Sequence, residues 1–125
     1  MSKELIKNID FRKVLEMESL VDYQEGRVIS RTLAQGRTMS MTLFAFDKGE
    51  EISTHSAGGD ALVYILDGEA EISIGEETFI VKKGETIVMP ANVPHSLFAI
   101  ERFKMQLVVI FDLGTVSRAN LKLNK

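Results

Sequence analysis

An all-β sandwich or barrel is the fold class that this chain of 125 residues predicts, and two observations predict it. From Arg27 onward apolar and polar residues alternate with a period of two, the period of a strand with one face inward and one outward. Turn signals built from Gly, Asp, Asn and Pro interrupt that alternation every few residues, which makes the strands short and numerous. The length fits one domain, 1–125, and no repeat, low-complexity tract or linker divides it. The expected organisation is a leader over 1–26, a barrel core over about 27–113 and a polar tail over 114–125 that frays.

In the leader, Phe11, Val14, Leu15, Met17, Leu20 and Val21 are spaced as in one or two short helical turns or an irregular segment. The first strand follows, with Val28, Ser30, Thr32 and Ala34 alternating against Ile29, Arg31 and Leu33. Gln35-Gly36-Arg37 turns the chain into a second strand over 38–46, which Asp47-Lys48-Gly49 closes. Asp67-Gly68, set between the runs 62–66 and 69–74, predicts a tight hairpin, because Asp-Gly accepts the positive φ angles such turns require. A further hairpin passes through Gly75-Glu76-Glu77 into Thr78–Val81. A short strand over 86–89 follows the Lys82–Glu85 turn, and Pro90–Pro94 is a loop, since proline cannot donate to a ladder. The runs 96–99 and 103–111, joined at Glu101-Arg102, are expected to pair with each other.

Composition removes several classes of function. The chain has no cysteine, so disulfides, thiolate metal sites and cysteine nucleophiles are absent. Fifteen basic against eighteen acidic residues give a formal net charge of −3 without a basic cluster, which argues against nucleic acid as a partner. No apolar run approaches the ~20 residues that span a bilayer, and no secretory apolar segment opens the chain, so neither a membrane nor export is expected and the cytoplasm is the predicted location. There is no nucleophile elbow, Walker loop or dinucleotide fingerprint. Ser53, Ser56 and Ser96 read as strand and turn residues.

Histidine occurs only twice, as His55 and His95. The segment Gly49-Glu-Glu-Ile-Ser-Thr-His55-Ser-Ala57-Gly-Gly-Asp60-Ala61, continuing to Gly68, resembles the first cupin motif, G-x(5)-H-x-H-x(3,4)-E-x(6)-G, in every interval. Its second histidine is replaced by Ala57 and its glutamate by Ala61. The segment from Gly84 through Pro90, Asn92 and His95 to Ala99 resembles the second motif, G-x(5)-P-x-G-x(2)-H-x(3)-N, with Asn92 for the glycine and Ala99 for the asparagine. The resemblance implies a small single-domain cupin of the conserved-barrel type, a double-stranded β-helix or jelly roll, in which two histidines and a glutamate of the first motif meet a histidine of the second around one divalent ion. It also implies a homodimer formed through an outer sheet face and exchanged N-terminal strands.

Of those ligands only His55 and His95 remain, so the expected cofactor is none or a weakly held divalent transition metal such as Zn, Ni, Fe, Cu or Mn. Asp60 is a candidate third ligand if the Gly58-Gly59 pair forms a bulge that re-aims it, and otherwise a turn residue. Alternation places Ser53 and Ala57 on the face of His55. Alternation also sends Ala57, Ala61 and Val63 inward, and the cupin resemblance, by setting their strands beside those of the histidines, implies that Met41, Met89, Leu97, Phe103 and Met105 complete an apolar pocket, while Phe44, Phe46 and Tyr64 fall on the opposite parity. Three functions are consistent with these residues. The first is a barrel that binds a small molecule of unknown identity. The second is a metal-dependent enzyme of dioxygenase or isomerase type. The third is a barrel whose interior is merely packed.

Overall fold

The computed structural model describes residues 5–56 and 58–111, and the fold is an all-β jelly roll. A single 3-10 turn, Met17–Leu20, precedes eight strands: β1 Val28–Gln35, β2 Met39–Phe46, β3 Glu51–His55, β4 Gly59–Ile74, β5 Glu77–Lys82, β6 Thr86–Met89, β7 His95–Phe98 and β8 Phe103–Phe111. The strands run in the order β1-β2-β8-β4-β7-β3, with β5 and β6 also bonded to β4, and every pairing is antiparallel. The expected tail over 114–125 lies outside the described residues, as does Ala57.

Strand β4 is the spine of the barrel because its two halves belong to different sheets. Residues 59–68 pair with β6 and β8, and residues 69–74 pair with β5 and β7. The hairpin expected at Asp67-Gly68 is therefore a corner within one strand. The register slips between Ile65 and Asp67, so Leu66 is an extra residue opposite β8. Ala61, Val63 and Ile65 are buried inside before it, and Ala70 and Ile72 after it. A bulge adds one residue and so inverts which parity faces inward. Gly68 makes the corner: it has φ +72°, and a Cβ there would collide with the Arg102 carbonyl. The expected pairing of the last two strands is also corrected, since β7 bonds β3 and β4 while β8 bonds β2 and β4.

Two apolar clusters lie on opposite faces of the β1-β2-β8-β4 sheet. Inside the barrel Phe46, Val63, Ile65, Ile72, Leu97, Phe103 and Met105 form the main core, with Phe46 stacked on Phe103 at 4.4 Å between ring centres. Burying each such side chain contributes about 1.5–3 kcal/mol. Phe46 and Phe44 thus face inward, contrary to expectation, because β2 pairs with β8 in a register that sets Phe44 opposite Met105 and Phe46 opposite Phe103. Alternation fixes parity within a strand, and register fixes the phase between strands. Outside, Leu33, Leu43, Ala45 and Leu66 are covered by Val21 together with Ile9, Met17, Leu20 and Tyr23 of the leader. Polar contacts hold the leader down: Arg31 Nη1 donates to the Leu20 carbonyl at 2.7 Å, Lys104 Nζ to the Glu18 carbonyl at 2.8 Å, and Tyr23 Oη to Asp67 Oδ2 at 2.6 Å.

Candidate functional site

Strands β3 and β7 lie side by side, and their register sets His55 opposite His95. A slip in β3 between Ile52 and His55 gives that strand one extra residue, so Ile52 and His55, three positions apart, both reach the barrel mouth while Ser53 is exposed. This corrects the placement of Ser53 on the face of His55. The two rings meet edge to face, 4.3 Å between centres, with Nε2 of one 3.1 Å from Nε2 of the other. His95 is buried, with 4 % of its surface exposed, and His55 is exposed.

The far side of each ring decides what the pair can do. His55 Nδ1 lies 3.0 Å from the Ser53 carbonyl and His95 Nδ1 lies 3.2 Å from the Val93 carbonyl. A carbonyl oxygen only accepts, so with the hydrogen on Nδ1 each neutral ring donates to its carbonyl and presents an Nε2 lone pair to the other, whereas a hydrogen on one Nε2 is donated to the other ring. Two lone pairs 3.1 Å apart repel unless a proton or a cation sits between or beside them. Burial is the main influence on His95, pushing its imidazole below the ordinary histidine value; the charge of a protonated His55 pushes the same way, and the Val93 carbonyl partly opposes both. The balance keeps the His95 lone pair free near neutral pH.

Beneath the rings is a cleft of about 90 Å³ lined by Ile52, Ala61, Met89, Leu97, Met105, Leu107 and Val109. Of the residues expected to form the pocket, Ala61, Met89, Leu97 and Met105 are in its wall. Val63 is buried in the core and outside the lining, and Phe103 is buried against Phe46 rather than in the wall. Met41 packs on the outer cluster under the leader, near Gln106 Nε2 at 3.5 Å, because odd positions of β2 face outward. Ile52 was not foreseen, because the β3 bulge that turns it inward leaves no mark in composition. Leu107 and Val109 were legible, since they share the parity of Met105.

Asp60 does not join the histidines. The register Gly59–Phe111, Asp60–Ile110, Ala61–Val109 is unbroken, so there is no bulge to re-aim it, and Asp60 Oδ1 instead accepts the Ala91 N–H at 2.7 Å. A Cβ on Gly59 would lie 2.6 Å from the Ile110 carbonyl, so this glycine serves close strand approach. Among the described residues no group of three or more His, Asp or Glu side chains is placed to hold a metal ion. Among the described residues a protein-supplied set of three or four ligands therefore does not fit here, and the available donors are the two imidazole nitrogens.

A family model for the cupin domain matches residues 42–111, more than half of the chain. The chain belongs to the cupin domain family. Among solved structures, this cupin resembles a conserved Streptococcus pyogenes protein of unknown function, 46 % identical with a TM-score of 0.88 over 91 % of this chain and 100 % of that one. It also resembles a cupin superfamily protein of Desulfitobacterium hafniense, 32 % identical with a TM-score of 0.82 over 86 % of this chain and 98 % of that one. An uncharacterized Streptomyces coelicolor protein is 32 % identical over 76 residues, 61 % of this chain and 71 % of the relative. No helix among the described residues of the cupin is long and apolar enough to cross a membrane.

Proposed function

We propose that this cupin is a ligand-binding barrel in which His55 Nε2 and His95 Nε2 hold a divalent transition metal at the mouth, and a small molecule from solution completes its surroundings from the cleft. The observation that carries the reading is the pair of Nε2 atoms 3.1 Å apart, with each Nδ1 within hydrogen-bond distance of a backbone carbonyl. Metal-binding histidines are commonly fixed in this way, by an outer hydrogen bond that selects the tautomer and aims the other nitrogen. When bound, the metal supplies a Lewis-acidic centre with open positions. The chain's own residues supply the two imidazoles, the carbonyls that orient them, and an apolar wall that limits water.

Binding is favoured over catalysis by the composition of that wall. Once both imidazoles are engaged, every other lining residue among those described is Ile, Ala, Met, Leu or Val, and none of these can transfer a proton. A dioxygenase- or isomerase-type reaction would have to run without a general acid or base from the cleft.

The test is metal content of untagged protein prepared without chelator and loaded with zinc, nickel or iron in turn. About one ion per chain is expected in the native protein, falling below a tenth of that in His55→Ala and in His95→Ala, each checked for an unchanged circular dichroism spectrum. Two imidazoles bind far more weakly than three or four ligands, so exchange with a chelator should be fast. Native protein that takes up no ion from any of the three would overturn the reading.

A further inference from the structure

We propose that a second copy of this chain docks face to face on the outer surface of β4, β6 and β8, across a two-fold axis that runs at right angles to the strands through Val108, Leu62 and Val88. The proposal is independent of the cation reading of the histidine pair.

Strand register places three rows of side chains on that surface. Leu62 pairs with Val108 on one side and Val88 on the other, Tyr64 with Gln106 and Thr86, and Asp60 with Ile110. Their neighbours in sequence, Ala61, Met89, Leu107 and Val109, point the other way and line the cleft, because successive side chains of a strand alternate. The leader covers the part of the outer face formed by β1, β2 and Leu66, and leaves these rows bare. Leu62, Tyr64, Val88 and Ile110 are 41, 41, 49 and 57 % exposed, which together leaves roughly 400 Å² of mostly apolar surface, close to the ~450 Å² of non-polar area that a standard interface takes from each partner. Asp60 is the one charge in the three rows, and its Oδ1 already accepts the Ala91 N–H.

A surface with so little charge offers nothing by which an oppositely charged partner would be chosen, yet it meets little repulsion from its own image. Its relief also fits itself. Leu62, Tyr64, Thr86, Gln106 and Val108 line a shallow hollow, and Ile110, the most exposed apolar side chain on the face, stands one row beyond Val108. Rotation about the middle row lays the Ile110 row of one copy over the Tyr64 row of the other, so the knob of each copy enters the hollow of its partner, the isologous contact of a two-fold dimer. Sheets stacked in this way lie about 10 Å apart and near alignment, which lets their side chains interdigitate. The N-terminal segments are not exchanged between the copies, because Ile9, Met17, Leu20, Val21 and Tyr23 already pack on their own sheet. The interface lies behind the wall of the cleft, and each copy keeps its own histidine pair.

Sedimentation equilibrium of the full chain across the micromolar range should give the mass of two 14.0 kDa chains. Val108→Lys sets like charges against each other on the axis and should raise the dissociation constant by about a hundredfold or more. Ile110→Lys should weaken association as well, and adding Gln106→Glu should restore it to within about tenfold, because the axis sets position 110 of one copy against position 106 of the other. Circular dichroism of each variant checks that the barrel is intact. Since the chain has no cysteine, Leu62→Cys places a single thiol beside the axis, and a bismaleimide of about 10 Å reach should link two copies. The same reagent should not link Ile80→Cys, which is exposed on the other sheet.

A monomer across that range overturns the inference and gives the face to another occupant, whether residues 112–125 or an unlike protein. A dimer that Val108→Lys leaves intact, or that links as readily through Ile80→Cys, overturns it too, as does a loss in Ile110→Lys that Gln106→Glu does not repair.

Discussion

His95 owes the direction of its Nε2 to contacts that begin at Asp60. The Asp60 carboxylate accepts the Ala91 N–H at 2.7 Å and pins the loop between β6 and β7, in which Asn92 takes φ +64° and the Val93 carbonyl holds His95 Nδ1 at 3.2 Å. Asp60 is therefore a positioning residue, acting on the site through backbone. Asp60→Ala should weaken zinc binding by about tenfold, the lower end of what loss of an outer contact costs at a metal site. Asp60→Asn keeps an acceptor oxygen and should recover most of that loss, as calorimetry of the two variants would read. Equal loss in both would instead indicate that the charge itself matters to the ion. The two histidines were legible in the sequence because the motif intervals are linear. The role of Asp60 was not, because it depends on a loop 31 residues further along the chain returning to the start of β4.

At the level of elements, alternation predicted the strands and failed where one residue was inserted. The β3 slip exchanges Ser53 for Ile52 at the mouth, and the β4 slip at Leu66 turns an Asp-Gly hairpin signal into a corner. A bulge has no composition of its own, so only pairing with a neighbour reveals it. The Leu66 slip also sends that side chain to the outer face, where it becomes part of the leader's seat. Tyr23 fastens that seat through Asp67, with the Arg102 guanidinium 3.8 Å above its ring. Burial raises the Tyr23 phenol well above its ordinary value of 10, and the hydrogen bond to Asp67 and the charge of that carboxylate add to the effect. Because the folded state holds this proton more tightly, the contribution is fully present below pH 10 and is lost as pH rises through 10 toward the folded value. Absorbance at 295 nm during alkaline titration should show one of the two tyrosines resisting ionisation, and Tyr23→Phe should remove that resistant fraction. The variant should also cost about 1 kcal/mol in urea denaturation at neutral pH.

For the whole molecule, the same sheet is buried on both faces by different means. Its inner face closes on the barrel core, and the part of its outer face formed by β1, β2 and the β4 bulge closes on the leader, through Val21, Leu20 and Met17 against Leu33, Leu43, Ala45 and Leu66. The leader is thus a wall of the domain, although its sequence gave no more than a weak helical spacing. Its backbone is also tied to the sheet, where Lys7 N–H donates to the Leu33 carbonyl at 2.7 Å and Asn8 Nδ2 to the Thr32 carbonyl at 2.8 Å. A chain lacking residues 1–22 should retain its β circular dichroism, because all eight described strands remain, but it would expose a contiguous apolar face. Faces of that kind lead to association. Size-exclusion chromatography with light scattering should show the truncated chain moving to larger, concentration-dependent species relative to the full chain. Replacing Leu33, Leu43 and Leu66 by Thr in the truncated chain should reverse the association, because it makes the bared face polar while leaving the barrel core of Ile65, Ile72 and Phe103 in place. A truncated chain that keeps the state of the full one would show that this outer cluster contributes little, and that the barrel core alone accounts for the fold.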